Sequence, residues 1–334
     1  MIKFIIGYPL FLFMFILGTL MSASSSHWLY FWIGMEVSLF NIIPLMISSS
    51  NSFSLESSIK YFLIQIFSSI MLMTSMLSLF MPLMFNNLII FFFFLLSMMT
   101  KLSLVPCHFW FPPIISSISW PMCFILMTWQ KLIPLFIFMF LFMSPPLNLI
   151  WLVIILSSIL SGISGLNQTQ LRPLLAYSSI NHMSWVMSLI FLSPMLSLSY
   201  FMFYSLLLFP LLITIYLNNI SSNKQMFNMF FLYKSYYFLF VILLLSLGGL
   251  PPFLGFFPKW FSIMFLINNN MFLLLSFLIL GSMINLYYYL MLLFPFMNFM
   301  SMKMYYSFKK KEKNFAMWFS MLSMGLFPLI LFSI

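Results

Sequence analysis

Long apolar runs alternate with short clusters of Ser, Asn, Pro and Lys along the whole chain, and the runs have the length of membrane-crossing helices. At about 20 apolar residues per crossing, they predict eleven spans, at 4 to 22, 27 to 48, 57 to 81, 85 to 106, 119 to 143, 148 to 166, 170 to 191, 195 to 218, 236 to 267, 271 to 296 and 315 to 333. The turns between them include Ser22 to Ser26, Asn86-Asn87, Pro145-Pro146, Gly165 to Gln170, Asn218 to Asn223, Asn268 to Asn270 and the basic stretch Lys303 to Lys313. These are the residues that end helices. The expected fold class is all-α, a polytopic transmembrane helical bundle of about eleven spans with short loops.

Composition removes other classes. Of 334 residues, 64% are hydrophobic and 5% charged, which excludes a water-soluble enzyme. Thirteen Lys and Arg stand against three acids, Glu36, Glu56 and Glu312, for a net charge of +10. The basic residues do not interleave on a soluble face, so nucleic acid is not an expected partner. Instead they mark topology. With the N-terminus on one side, Lys3, Lys60, Arg172, Lys224, Lys234, Lys303, Lys309, Lys310, Lys311 and Lys313 all fall on or beside that side. The positive-inside tendency makes it cytoplasmic or, in a mitochondrion, the matrix, and puts the C-terminus on the other face. The first apolar run continues without a cleavage site, so the N-terminus is expected to be the mature one. Two cysteines, Cys107 and Cys123, supply neither a disulfide framework nor the four thiolates of an iron-sulfur cluster. Neither a metal site nor a bound cofactor is expected on the chain.

Four charges fall inside apolar runs: Glu36, Lys101, Lys131 and Lys259. Each costs about 2.5 to 3.5 kcal/mol on insertion scales, so each is a functional candidate. Glu36, near the middle of the second run, suits a proton-carrying carboxyl or a neutral acid bridging two helices. A lysine out of water gives up its proton more readily; the alternative for Lys101 and Lys259 is a position at a helix end, from which a long side chain reaches the interface. Lys131 lies about a dozen residues inside its run. His108 and His182 suit a hydrated polar path, while His27 abuts a span start and reads as interfacial. Two facing histidines for a haem are not expected, and Gly165 to Arg172 is no phosphate loop.

The sequence also echoes itself. Pro106-Cys-His-Phe-Trp-Phe-Pro112 and Pro252-Phe-Leu-Gly-Phe-Phe-Pro258 share their Pro-to-Pro spacing and an aromatic pair before the second Pro. Each interrupts apolar sequence and so predicts a helix broken partway across the bilayer, tolerated only where protein or a hydrated cavity satisfies the freed backbone groups. Paired interrupted helices point to a transport site. The two motifs lie 146 residues apart, nearly five spans, which predicts inverted repeats; the same offset carries Glu36 onto His182.

Seven segments in order resemble one family: Trp32-Ile-Gly-Met-Glu36, Ser58-Ile-Lys-Tyr-Phe-Leu-Ile-Gln65, Lys101-Leu-Ser-Leu-Val-Pro-Cys-His-Phe-Trp-Phe-Pro112, Met127-Thr-Trp-Gln-Lys131, Gly165-Leu-Asn-Gln-Thr-Gln-Leu-Arg172, Tyr177-Ser-Ser-Ile-Asn-His182 and Leu247-Gly-Gly-Leu-Pro-Pro-Phe-Leu-Gly-Phe-Phe-Pro-Lys-Trp260. Together they resemble the family of mitochondrial NADH dehydrogenase subunit 2, antiporter-like membrane subunits of respiratory complex I. The abundance of Phe and Met beside a single Arg also resembles proteins coded in animal mitochondrial genomes. The resemblance implies two inverted five-helix repeats, at 1–143 and 148–296, followed by a basic matrix-side loop and final helix at 297–334. It implies that Glu36 pairs with Lys101, that Lys131 is the central relay, and that Lys259 closes the second broken-helix motif; His182 and His108 are relay candidates from their own positions. Ser103 and Cys107 depart from the family, which has small residues after the first lysine and Phe before the histidine. The implied activity is proton translocation in the mitochondrial inner membrane, with NADH, FMN, iron-sulfur clusters and ubiquinone handled by other subunits. Implied partners are neighbouring antiporter-like and small membrane subunits and lipids. The competing reading is a cation/proton antiporter of the Mrp type.

Overall fold

The computed structural model describes residues 2–47, 52–79, 87–141, 147–218, 220, 234–251 and 253–301. The predicted span at 315 to 333, the basic stretch Lys303 to Lys313, the Pro145-Pro146 turn and most of the loop between Asn218 and Lys234 lie outside the described residues. The chain divides into two compact units, Met1–Leu149 and Ile150–Ile334.

In the first unit the helices are α1 (Ile2–Ser24), α2 (Trp28–Ile47), α3 (Ser52–Leu79), α4 (Asn87–Leu102), α5 (Phe111–Ser117), α6 (Trp120–Met127) and α7 (Trp129–Leu141). α1 packs along α2, α2 on α3, and α3 on both α4 and α5. The α1–α2 contact is backbone to backbone. A methyl on Gly18 would lie 2.8 Å from the Ser38 nitrogen, and one on Gly34 would lie 2.7 Å from the Gly18 carbonyl oxygen. Small residues permit this approach in a membrane, where dispersion between closely fitted helices replaces the hydrophobic effect. Trp129 ties α7 to α1 by donating from Nε1 to Thr19 Oγ1 at 3.1 Å.

The second unit holds α8 (Leu147–Leu166, beginning just before the boundary), α9 (Leu171–Ile190), α10 (Pro194–Leu217), α11 (Lys234–Gly248), α12 (Phe256–Asn268) and α13 (Phe272–Ser301). α9 packs on α10, α12 and α13. All of α9 except Arg172 and Tyr177 is buried.

Among the described residues, seven helices are long and apolar enough to cross a membrane: α1, α2, α3, α6 with α7, α8, α10 and α13. α4 and α11 contain shorter apolar segments, Ile89–Leu102 and Leu239–Gly248, and each is followed by a break and a second helix. The predicted span at 236 to 267 is therefore two helices. The first break is likewise completed by α5, which the spans at 85 to 106 and 119 to 143 leave unassigned. Pro112 and Pro113 do not end that helix but start it, because the first turn has no intrahelical partner for the missing N–H.

Buried serines fit this environment by bonding within their own helices. Ser57, Ser68 and Ser75 donate to the carbonyls of Ser54, Gln65 and Leu72 at 2.9, 2.6 and 2.7 Å. Each thereby meets its own polar demand without a partner helix.

Candidate functional site

The first break places Lys101. α4 ends when Ser103 takes a positive φ of 57°, with Leu104 N–H donating to Met99 O at 2.9 Å. This left-handed closure is a usual way to stop a helix, though a glycine adopts it with less strain. Lys101 thus sits in the last turn of α4, where a cation offsets the negative end of the helix dipole. Its side chain is 9% exposed, and Nζ donates to Met35 Sδ on α2 at 3.5 Å.

Lys131 approaches from α7. The chain deviates from a continuous helix at Thr128, whose hydroxyl donates to Phe124 O at 2.7 Å. Pro134 cannot donate to Gln130 O, which leaves that carbonyl free of its helical partner. Lys131 is 1% exposed, and its ammonium stands 4.6 Å from the centre of the Phe111 ring. A desolvated cation over a ring face gains about 2 kcal/mol.

The two lysines open on one cavity. It also meets Tyr61 and Gln65 of α3, Trp110 and Phe111 at the end of the break, and Gln130 of α7. About 20 Å³ is available to the centre of a water molecule, room for about one water. Trp110 Nε1 and Gln130 Nε2 are buried donors without an acceptor among the described residues, and both residues line this space. A water with two to four polar partners suits such a site. Tyr61, Gln65 and Gln130 escape a search for charged residues, yet a signal was present: Tyr61 and Gln65 are four apart in an apolar helix and share a face.

Glu36 is half-buried beside the cavity, one residue from Met35. Its Oε1 is buried with no hydrogen-bond partner among the described residues. No ion pair within 4.0 Å joins it to Lys101; among the described residues the ion pair is the exposed Lys60–Glu56 contact on α3. The expected Glu36–Lys101 pairing is not a direct contact here: the Met35 sulfur stands against the ammonium. His108 is buried in the first break, with its ring 4.2 Å from that of Phe109, and is not part of the cavity lining. His27 is exposed between α1 and α2.

The second unit places the other two residues. His182 lies in the buried α9, with Nδ1 3.1 Å from the Tyr200 hydroxyl and its ring 4.9 Å from that of Tyr204. These tyrosines sit one helical turn apart on α10 and were not singled out from the sequence. Lys259, 6% exposed, lies in the first turn of α12 and donates to Gly248 O at 2.8 Å. It is therefore neither a surface lysine nor one reaching for an interface.

Comparison with known proteins shows what the chain is similar to. The family profile described as "NADH:quinone oxidoreductase/Mrp antiporter, TM" matches residues 25–285. A protein of Lumbricus terrestris named NADH-ubiquinone oxidoreductase chain 2 is 41% identical over 276 residues, covering 82% of each chain. One of the same name from Anopheles gambiae is 38% identical over 326 residues, 95% of this chain and 94% of its own. Among solved structures, a chain of respiratory complex I from Thermus thermophilus superposes with a TM-score of 0.81 at 19% identity, over 97% of this chain and 77% of that one. A chain of the Mrp complex from Dietzia sp. superposes with a TM-score of 0.75 at 15% identity, over 86% of this chain and 60% of that one.

Proposed function

On the premise that the chain belongs to the NADH:quinone oxidoreductase/Mrp antiporter family, together with the relatives named NADH-ubiquinone oxidoreductase chain 2, we propose that its buried lysines carry protons across the membrane. The protein is a multi-pass, antiporter-like membrane subunit of a proton-translocating NADH:quinone oxidoreductase. Other membrane subunits of that complex are its partners. Oxidation of NADH and reduction of quinone belong to other chains, and this one supplies proton conduction. The proposed setting is the mitochondrial inner membrane, with the N-terminus and the basic loops in the matrix.

The observation that carries the proposal is the cavity shared by Lys101 and Lys131. Two ammonium groups facing one small, weakly screened space repel each other, so the arrangement favours a single positive charge handed between two amines. A water between them provides the route for the hop. The Glu36 carboxylate acts on Lys101 from α2, so a change in its distance or charge shifts the proton toward or away from Lys101. His182 and Lys259 are the proposed carriers of the second unit. The size of the space favours protons over a larger cation, which would need either its hydration shell or a set of oxygen ligands.

The test is the number of protons moved per electron by the assembled complex in sealed vesicles. Lys101→Met or Glu36→Gln is expected to lower that number while the subunit still migrates with the NADH-oxidising complex on a native gel. An unchanged yield in an assembled variant would sink the relay assignment. Sodium-dependent exchange by the isolated subunit, with no redox partner, would favour the Mrp-type reading instead. Failure of every charge-removing variant to assemble would point to a scaffold role.

A further inference from the structure

Lys259 is aimed backwards. It belongs to the first turn of α12, yet its ammonium crosses the second break to the last residue of α11, donating to Gly248 O at 2.8 Å. The final carbonyls of a helix have no intrahelical donor and carry the negative end of its dipole. On the way the side chain lies against Gly249. A methyl built there would stand 2.8 Å from Nζ, 2.8 Å from Cδ and 3.0 Å from Cε of the lysine. Gly249 has a φ of +81°, and its N–H donates to Leu245 O at 3.1 Å and Ser246 O at 3.0 Å. The turn that ends α11 therefore presents its bare α-carbon to the lysine.

We propose that Gly249 is a positioning residue for proton carriage: its missing side chain leaves the slot through which Lys259 reaches the Gly248 carbonyl at the end of α11. This rests on the reading of Lys259 as a proton carrier and deepens it. The slot has no slack along the outer half of the side chain, because the methyl would meet Cδ, Cε and Nζ together. Any side chain at 249 moves the ammonium off its carbonyl, even where the turn itself survives.

The test uses the assembled complex in vesicles, reading protons moved per electron beside the rate of NADH oxidation. Gly249→Ala adds both a clash and a strained backbone. Gly249→Asn adds a clash of the same kind, but asparagine tolerates positive φ better than most residues. Both are expected to lose proton yield at an unchanged rate of NADH oxidation, and neither should lower the yield further in a Lys259→Gln background. A normal yield in Gly249→Asn beside a loss in Gly249→Ala would make backbone strain the cause and overturn the proposal, as would normal yields in both. If Gly249→Ala does not assemble, Gly249→Asn carries the test, and a normal yield there overturns the proposal. A full yield in Lys259→Gln alone would bring down the relay reading of that lysine and this inference with it. A loss in Lys259→Gln with none in the Gly249 variants would remove the positioning role only.

Discussion

The two broken helices close in the same way but place their lysines on opposite sides of the gap. α4 stops at Ser103 and α11 at Gly249, both with positive φ, and in each the next residue donates back across the turn: Leu104 to Met99 O and Leu250 to Leu245 O. Ser103 and Gly249 are 146 residues apart, the same offset that separates Pro106 from Pro252. Lys101 precedes its turn by two residues and opens on a cavity, whereas Lys259 follows its turn by ten and reaches back to the helix end. The helix stop is thus common to the two breaks, while the position of the charge is not. One break leaves its cation beside a water-sized space, and the other holds its cation on a carbonyl.

The sharpest way to break this comparison is at Gly255, which the same offset aligns with Phe109. A methyl on Gly255 would lie 1.7 Å from Ser246 O, a backbone atom that cannot turn aside. Gly255→Ala is expected to destabilise the second break by about 3 kcal/mol or more, seen as loss of assembled complex on a native gel. Phe109 is 76% exposed, and Phe109→Ala should leave the amount of complex near wild type. Next in size, Phe111→Leu removes the ring under Lys131 and should cost about 1 to 2 kcal/mol, with a lower proton yield in vesicles; an unchanged yield would mean that the ring only packs. Smaller still, Ser103→Gly makes the first stop resemble the second. It should stabilise by about 1 kcal/mol, raising the inactivation temperature of the complex; a fall would show that the Ser103 hydroxyl, which donates to Leu102 O at 2.6 Å, outweighs the strain. Smallest, Glu56→Gln breaks the exposed Lys60–Glu56 pair and should change stability by about 0.5 kcal/mol or less.

Much of this was legible along the chain because the membrane makes polar residues expensive. Lys131 and Lys259 stand out against apolar neighbours, and both are buried. The breaks were readable from their prolines, and most helix ends fall within a few residues of the turns that mark them. α5 was not readable, since Pro112-Pro113 interrupts a helix or begins one depending on where the previous helix stops. From its sequence α9 reads as an ordinary span, but its Ser, Asn and His residues belong to a helix enclosed by protein, which needs no apolar face toward lipid. The cavity was hidden for a different reason. Tyr61, Gln65 and Gln130 are unremarkable in their own helices and gain meaning only where α3 and α7 face the same break. Nor could spacing show that Met35, rather than Glu36, meets Lys101: neighbours on a helix differ by about 100° in direction, and the tilt of the partner decides between them.

The glycine seam between α1 and α2 has a mechanical consequence. Gly18 and Gly34 bring the two backbones so close that neither helix can slide along the other without first separating, and Glu36 lies half a turn from that seam. The carboxylate therefore rides on a stiff two-helix beam. Lys101 stands in the last turn of α4, buried next to the first break. Sliding of α2 along α1 is therefore not a way to change the distance between Glu36 and Lys101.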